Sequence, residues 1–365
     1  MKFYDLGLEE PGLRAALDDA YRRVMDGGWM ILGPEVEAFE TEFAAFCGAT
    51  HAVGVGNGYD ALVLALRAAG IAAGDEVIVP SHTFAATWLA VAALGARPVP
   101  VDVDPATYTL DPSAAAAAVT PRTRAMIPVS LYGHPVDMDP LVALAKRHGL
   151  FVLEDAAQSH GAAYRGRRTG ALAHATAFSF YPSKNLGALG DGGAITTGDP
   201  ALADRLRRLR NYGSARKYVH DVPGVNSRLD ELQAAFLRVR LARLGNDNAR
   251  RRALAAEYGQ AVAGVGDLAP PTEADWAHHV YHLYVVRTSR RDELQARLAS
   301  AGIETLIHYP TPCHRQPAFA DLGFSAGDFP QAEQLAGELL SLPFWPGMTA
   351  GQVAQVATVV RQSVG

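Results

Sequence analysis

A single lysine stands in the stretch FSFYPSKNLGALGDGGAITT, Phe178 to Thr197, at the end of an apolar run and just before a glycine-dense turn. An ammonium stripped of water is costly, so a lysine in that setting takes a counter-charge, loses its proton or serves as an amine. Reading Lys184 as an amine nucleophile requires supporting groups from elsewhere in the chain. One is an isolated carboxylate, Asp155, in LEDAAQSH from Leu153 to His160. Its only acidic neighbour, Glu154, would project from the opposite face of a strand, which argues against a metal pair. Asp155 is then a base, a partner for a cationic ring nitrogen, or a helix cap. The other support is the loop Gly54-Val-Gly-Asn-Gly-Tyr-Asp. Its glycines let backbone amides approach an anion, and a helix start adds positive partial charge. The spacing is neither G-x-G-x-x-G nor a Walker loop, and the same glycines would also suit a tight strand-to-helix turn.

These groups act together only if the chain brings them to one place. From about residue 50 to 200, short β-branched runs alternate with helical stretches. The runs begin at His51, Glu76, Pro98, Ala125 and Leu150, with helices over Tyr59–Ala69 and Thr87–Leu94 and a further one through Lys146. That rhythm predicts an α/β domain with a mostly parallel sheet flanked by helices, whose ligands gather at the carboxyl ends of the strands. Ala175–Tyr181 and Gly193–Thr197 follow as two adjacent strands. The pattern S-x-x-D at Ser227 and Asp230 predicts the cap of a long helix, with Leu229, Leu232, Phe236 and Val239 on its apolar face. Ser113 is read as the cap of the helix over Ala114–Ala118. Beyond it, His279–Arg287 and Glu304–His308 read as strands and Arg290–Ala301 as a helix capped by Ser289. The expected division is a large domain over 1–245 and a smaller α+β C-terminal domain over 246–365.

A lysine amine, an isolated carboxylate and an amide cradle at converging strand ends are the parts that pyridoxal 5'-phosphate requires. The lysine binds the aldehyde, the carboxylate keeps the pyridine nitrogen protonated and the amides hold the phosphate. Phe84, in Pro80-Ser-His-Thr-Phe, is placed to cover one ring face, with His82 the alternative.

Composition narrows the rest. The formal net charge is −5 and the basic residues form no cluster, so no nucleic-acid partner is expected. Two cysteines, Cys47 and Cys313, give no disulfide framework and suggest a reducing compartment. No run nears the roughly 18 apolar residues of a membrane span, and MKFYDLGLEE does not read as a signal peptide, so a cytoplasmic protein without membrane contact is expected. His278, His279 and His282 could form a cluster with His308 and His314, but on a strand His278 and His282 share one face and His279 the other, so the group is split and no metal is expected.

Gly56-Asn-Gly-Tyr-Asp-Ala-Leu, Val79-Pro-Ser-His-Thr-Phe-Ala-Ala-Thr, Glu154-Asp-Ala-Ala-Gln-Ser-His-Gly-Ala, Ser179-Phe-Tyr-Pro-Ser-Lys-Asn-Leu-Gly and Gly224-Val-Asn-Ser-Arg-Leu-Asp-Glu-Leu-Gln-Ala-Ala occur in order along the chain. In these motifs the sequence resembles the DegT/DnrJ/EryC1/StrS family of sugar aminotransferases. The resemblance implies the fold-type-I, aspartate aminotransferase-like architecture, working as a homodimer with shared active sites. It makes Lys184 the Schiff-base lysine and proton carrier and Asp155 the partner of the pyridine nitrogen. Gln158 would lie beside the ring and Phe84 would stack on it. Gly58 and Tyr59 would give amides to the phosphate, Ser179 its hydroxyl, and Asn226 would reach it from the other subunit. Asn185–Ala194 and Ile307–Phe319 resemble most the branch that aminates C-3 of a dTDP-3-keto-6-deoxyhexose, with L-glutamate as donor. Tyr181, Arg216, Lys217, His308 and Tyr309 are then candidates for the nucleotide-sugar pocket, which needs cations for pyrophosphate and an aromatic wall for the base. The resemblance also implies a place in lipopolysaccharide or other glycan biosynthesis. Rival readings are a 4-keto-sugar aminotransferase of the perosamine type, a dehydratase of the same fold, a dehydrogenase and a non-catalytic cofactor-binding regulator. The dehydratases of this fold replace the lysine that is present here, the glycine spacing disfavours the dehydrogenase, and no DNA-binding segment supports the regulator.

Overall fold

The β-branched runs become strands because their side chains are buried on both faces, as a sheet covered by helices requires. In the computed structural model, which describes residues 1–364, seven strands form one sheet. They are β1 (His51–Val55), β2 (Glu76–Pro80), β3 (Arg97–Val101), β4 (Thr123–Met126), β5 (Phe151–Asp155), β6 (Ala175–Ser179) and β7 (Gly193–Thr197). The spatial order is β1-β7-β6-β5-β4-β2-β3. Every pairing from β6 to β3 is parallel, and β7 alone runs antiparallel to its neighbours β6 and β1. The carboxyl ends of β2, β5 and β6 therefore open on one edge, where Phe84, Asp155 and Lys184 follow in sequence.

The flanking helices are α1 (Pro11–Gly27), α2 (Pro34–Cys47), α3 (Gly58–Ala68) and α4 (Ala86–Ala92). Leu62, Leu64, Ala65 and Leu66 of α3 join Val53, Val77 and Ile195 in the largest core cluster. At about 1.5–3 kcal/mol for each large aliphatic chain taken from water, this burial outweighs any contribution of helix propensity. Trp88 of α4 is fully buried and donates Nε1–H to the Pro80 carbonyl at 2.9 Å, pinning α4 to the end of β2. The start of α2 is capped from far along the chain, since Glu231 accepts from the amides of Gly33, Glu35 and Val36.

A second core, including Leu254, Tyr258, Tyr284, Leu294, Leu340 and Val356, packs around the antiparallel pair Tyr284–Arg287 and Leu339–Leu342. Met1 and Tyr4 lie against it.

Several local expectations are corrected. The helix expected from Ser227 begins at Glu231, with Asp230 as a cap that makes no side-chain bond, and a second helix, Leu244–Val262, follows. Ser227 Oγ is engaged elsewhere, donating to Asp60 Oδ2 at 2.6 Å and accepting from the Gly56 amide. Ser289 caps no helix because its hydroxyl and amide both bond Asp267. Asp111, not Ser113, caps the alanine helix, whose carboxylate accepts from two amides. The strand expected over 279–287 is confined to Tyr284–Arg287 after a two-residue bridge strand at Ala277–His278, because Tyr281 takes a positive φ of 45° between them. Glu304–His308 contributes one bridge, Leu306 to Ser341.

Candidate active site

Asp155 closes β5 with its backbone held on both sides. Its amide donates to the Pro128 carbonyl at 2.8 Å and its carbonyl accepts from the Ser130 amide at 3.0 Å. The carboxylate is buried, accepting from Thr87 Oγ1 at 2.9 Å and from the Ala157 amide at 3.2 Å. Burial raises its pKa, against the opposing pull of the Ala157 amide, Thr87 and the Lys184 charge. Glu154 points to the other face as strand alternation demands, bonds Ser130 Oγ at 2.8 Å and is pushed by burial up to about 7.

Lys184 sits in a tight turn after β6, its amide donating to the Tyr181 carbonyl at 2.8 Å. Gly187 completes that turn; a Cβ there would lie 2.3 Å from the Pro182 carbonyl oxygen. Loss of solvent lowers the Lys184 pKa from its ordinary 10.5 to about 8, opposed by the Asp155 carboxylate. Three imidazoles border the amine. His160, packed on Phe178 and Phe180, is pushed down to about 3 by burial and by Lys184, His308 to about 4 by the same causes, and His282 well below its usual range. These rings are neutral at pH 7, so they add no competing cation.

The depressed lysine carries a stability consequence. The unfolded chain binds the Lys184 proton up to its ordinary 10.5 and the folded chain only to about 8. Folding therefore opposes protonation, and the deficit is full below pH 8 and relieved as pH rises towards 10.5. That gap corresponds to at most about 3 kcal/mol, less the part that the open fraction of the residue regains from solvent. Cofactor-free Lys184→Met should accordingly resist urea better than cofactor-free wild type at pH 7, with the advantage shrinking by pH 10. Equal midpoints at both pH values would show that the ammonium is not strained.

The glycine loop forms the third part. Asn57 caps α3, its Oδ1 accepting from the Asp60 amide at 2.8 Å. The amides of Gly58 and Tyr59, the first two of that helix, have no acceptor among the described residues, and Gly58 lies against Ser179. A Cβ on Gly58 would fall 2.5 Å from Ser179 Cβ and 3.1 Å from its Oγ. Two orphan amides and a hydroxyl thus converge, the donor set that a phosphate group satisfies. Gly58→Ala must push α3 away from Ser179. Its expected outcome is cofactor dissociation about tenfold easier, read by fluorescence titration of the apoprotein.

The structure distributes the remaining sequence candidates unevenly. Gln158 is buried beside Asp155, its Oε1 accepting from the Tyr132 amide at 2.6 Å and its Nε2 donating to the Tyr309 hydroxyl at 3.0 Å. Phe84 is 56% exposed over the cleft and packs on the Tyr309 ring at 5.5 Å. His82 is buried and held by the Tyr132 hydroxyl at 2.8 Å, so it does not offer the alternative ring face. His308 bonds Ser341 Oγ at 2.8 Å. Tyr181 is exposed at the cleft mouth. Arg216, Lys217 and Asn226 lie apart on exposed segments, the first two on or beside the hairpin Ser214–Arg216 and Val219–His220, and no hydrogen bond joins them to the Lys184 group. Sequence reasoning overlooked Thr87, His160 and His282. Thr87 had a signal, standing three residues after Phe84 at the spacing of one helical turn. The histidines had none, since only folding sets them beside the amine. Among the described residues no group of three or more His, Cys, Asp or Glu could hold a metal.

Comparison with known proteins matches these motifs across the chain. Residues 12–361 fit the model of the DegT/DnrJ/EryC1/StrS aminotransferase family. The chain belongs to that family. It is 57% identical over 359 residues to the erythromycin biosynthesis sensory transduction protein EryC1 of Saccharopolyspora erythraea, covering 98% of each chain. It is also 57% identical to the dTDP-3-amino-3,4,6-trideoxy-alpha-D-glucose transaminase of Streptomyces venezuelae, over 99% of this chain and 95% of that one. In structure it matches S. venezuelae DesV, solved in complex with a ketimine intermediate, with a TM-score of 0.97 and 56% identity over 99% of this chain and 97% of the other. The fold is that of these aminotransferases, an α/β architecture with a mostly parallel central sheet.

Proposed function

We propose that this family member is a pyridoxal 5'-phosphate-dependent aminotransferase that installs an amino group at C-3 of a dTDP-linked 3-keto-6-deoxyhexose, with L-glutamate as donor. The observation that carries the reading is the convergence of the Lys184 amine, the buried Asp155 carboxylate and the orphan amides of Gly58 and Tyr59 at one sheet edge. The relatives named above support the sugar assignment.

The bound cofactor would supply an electron sink for the carbanion formed at the donor's α-carbon. The protein does the rest. Gly58, Tyr59 and Ser179 would hold the phosphate, while Asp155, oriented by Thr87 and the Ala157 amide, would keep a proton on the ring nitrogen. Lys184 Nζ would take a proton from one carbon and return it to another. Its lowered pKa gives a neutral, basic amine within reach of working pH. Phe84 and Tyr309 wall the cleft, and Gln158 fixes Tyr309.

The homodimer belongs to this proposal. Tyr21, Met25, Trp29, Met30 and Ile31 leave an exposed apolar patch on α1 and the loop after it, of a kind that marks an interface. Asn226 is exposed and points to no local task, as a residue reaching a neighbour's phosphate would. Arg216 and Lys217 would then bind the nucleotide pyrophosphate across the interface with Tyr181 and His308. A division into units over 1–245 and 246–365 fits the second core, with the amino-terminal residues crossing onto it. Among the described residues no helix is long and apolar enough to cross a membrane. The cytoplasmic location and the role in glycan biosynthesis remain part of this proposal, supported by the resemblance to sugar aminotransferases.

The test is a product assay of the purified protein with glutamate and a panel of dTDP-, GDP- and UDP-linked 3-keto and 4-keto sugars. Amination confined to 4-keto substrates would refute the C-3 assignment. One relative carries the name of a sensory transduction protein, and a non-catalytic binder is the second reading. It requires a yellow, borohydride-sensitive protein whose colour glutamate does not bleach.

A further inference from the structure

A chamber of about 260 Å³ lies beyond Asn185 from the Lys184 cleft, between the segment Tyr4–Gly7, the start of the helix Leu244–Val262 and Trp345–Gly347. Two arginines on its wall are anomalous. Arg251 is 1% exposed and Arg240 is half-buried, yet among the described residues neither has a carboxylate within 4.0 Å. A buried guanidinium without a contacting anion is costly and ordinarily has a partner. Their protein partners carry no contacting negative charge: backbone carbonyls for both, with the Phe344 ring and the Tyr4 side chain beside Arg251 and the Asp247 charge acting on both from beyond contact. Arg251 Nη1 donates to Tyr281 and His282, and Arg240 donates to Gly187 at 2.7 Å and to Leu6 at 3.1 Å. Burial lowers the pKa of both groups.

Two further cations stand at the rim. Arg243 pairs with Glu10 at 2.7 Å, and Arg250 reaches Glu257 only at 3.7 Å. The acidic groups facing the space are Asp5, Glu10 and Asp247. Glu10 is committed to Arg243 and to capping α1. Asp247 makes no contact ion pair, and burial raises its pKa. Arg243 and Arg250 each have a carboxylate partner, so the two deepest cations are the ones without a contacting carboxylate.

We infer that this chamber is a binding site for a small oxyanion of the phosphate or short dicarboxylate type, gripped by Arg240 and Arg251. Planar guanidinium groups match such oxygens with paired hydrogen bonds. The occupant would rest against Asn185, the residue after Lys184, and against the arginine that holds the Gly187 carbonyl of the lysine turn. Nothing in this assignment depends on which sugar the enzyme aminates.

Calorimetric titration of the cofactor-saturated protein tests it, because the phosphate cradle is then filled. Inorganic phosphate and succinate are titrated separately at ionic strength held constant with chloride; succinate has neither an amine nor a keto group and cannot enter transamination. The expected result is saturable binding of at least one of them, weakened about tenfold or more in Arg240→Gln and in Arg251→Lys. Binding of phosphate alone, or of succinate alone, assigns the natural occupant to that class. No saturable heat with either anion overturns the inference. So does binding unchanged in both variants, or binding abolished by Lys217→Ala, which would place the anion at the proposed pyrophosphate contacts. If neither variant folds, anion-dependent elevation of the wild-type melting temperature, reduced in the rim variant Arg243→Gln, supports the site, and elevation equal in the two refutes it.

Discussion

Lys184→Ala should fold, bind the cofactor non-covalently and lower kcat for transamination by roughly 10⁴ or more, since both nucleophile and proton carrier are gone. The two losses fall on one atom. The Nζ charge and the Asp155 carboxylate act on each other, and the imidazoles that feel Lys184 are held neutral at depressed pKa values. Stopped-flow mixing of the variant with glutamate should show no fast bleaching of the visible band, and borohydride should fix no cofactor to the chain. A variant retaining more than about a hundredth of the wild-type rate would mean that another base carries the proton.

Asp155→Asn is the second large effect. It keeps the size of the side chain and the bond from Thr87, but removes the charge that holds a proton on the ring nitrogen. Loss of transition-state stabilisation without loss of ground-state contacts lowers kcat and leaves KM near its wild-type value. The expected fall is roughly 10²–10⁴ in kcat, with KM for glutamate changed less than about threefold. Steady-state kinetics and the absorption spectrum of the bound cofactor read the two separately. A rise in KM at constant kcat would instead make Asp155 a binding residue. Because the carboxylate is buried and its pKa raised by desolvation, wild-type activity should also fall on the acid side as that group protonates, a limb missing from the Asn variant.

The strands and the three chemical centres were legible in the sequence because each is a local pattern. A β-branched run ending in Glu-Asp, a glycine loop before a helix and a lysine before Asn-Leu-Gly need no knowledge of distant contacts. The connections between them were not local. Ser227 looked like a helix cap because S-x-x-D is a capping pattern, yet its hydroxyl is bound to Asp60, 167 residues earlier. The start of α2 showed no cap of its own because Glu231 supplies it from nearly two hundred residues away. The broken strand over 279–287 has a comparable cause. Gly133 approaches so closely that a Cβ would lie 2.9 Å from the Tyr281 amide, and the Val280 amide turns to the Gly133 carbonyl at 3.0 Å. Alternation of residue types carries no trace of such an approach. The pocket candidates Arg216 and Lys217 stand apart from Lys184 on and beside an exposed hairpin, the arrangement the proposed dimer would need if they serve a neighbour's site.

The small knot of Gly56, Asp60 and Ser227 reaches further than its size suggests. Ser227 braces the Gly56 end of the glycine loop, and the very next residue back, Asn226, is exposed and is the one proposed to serve a neighbour. In the proposed dimer, filling one cradle would then brace the residue that serves the second, and the two coenzyme molecules would load as a linked pair.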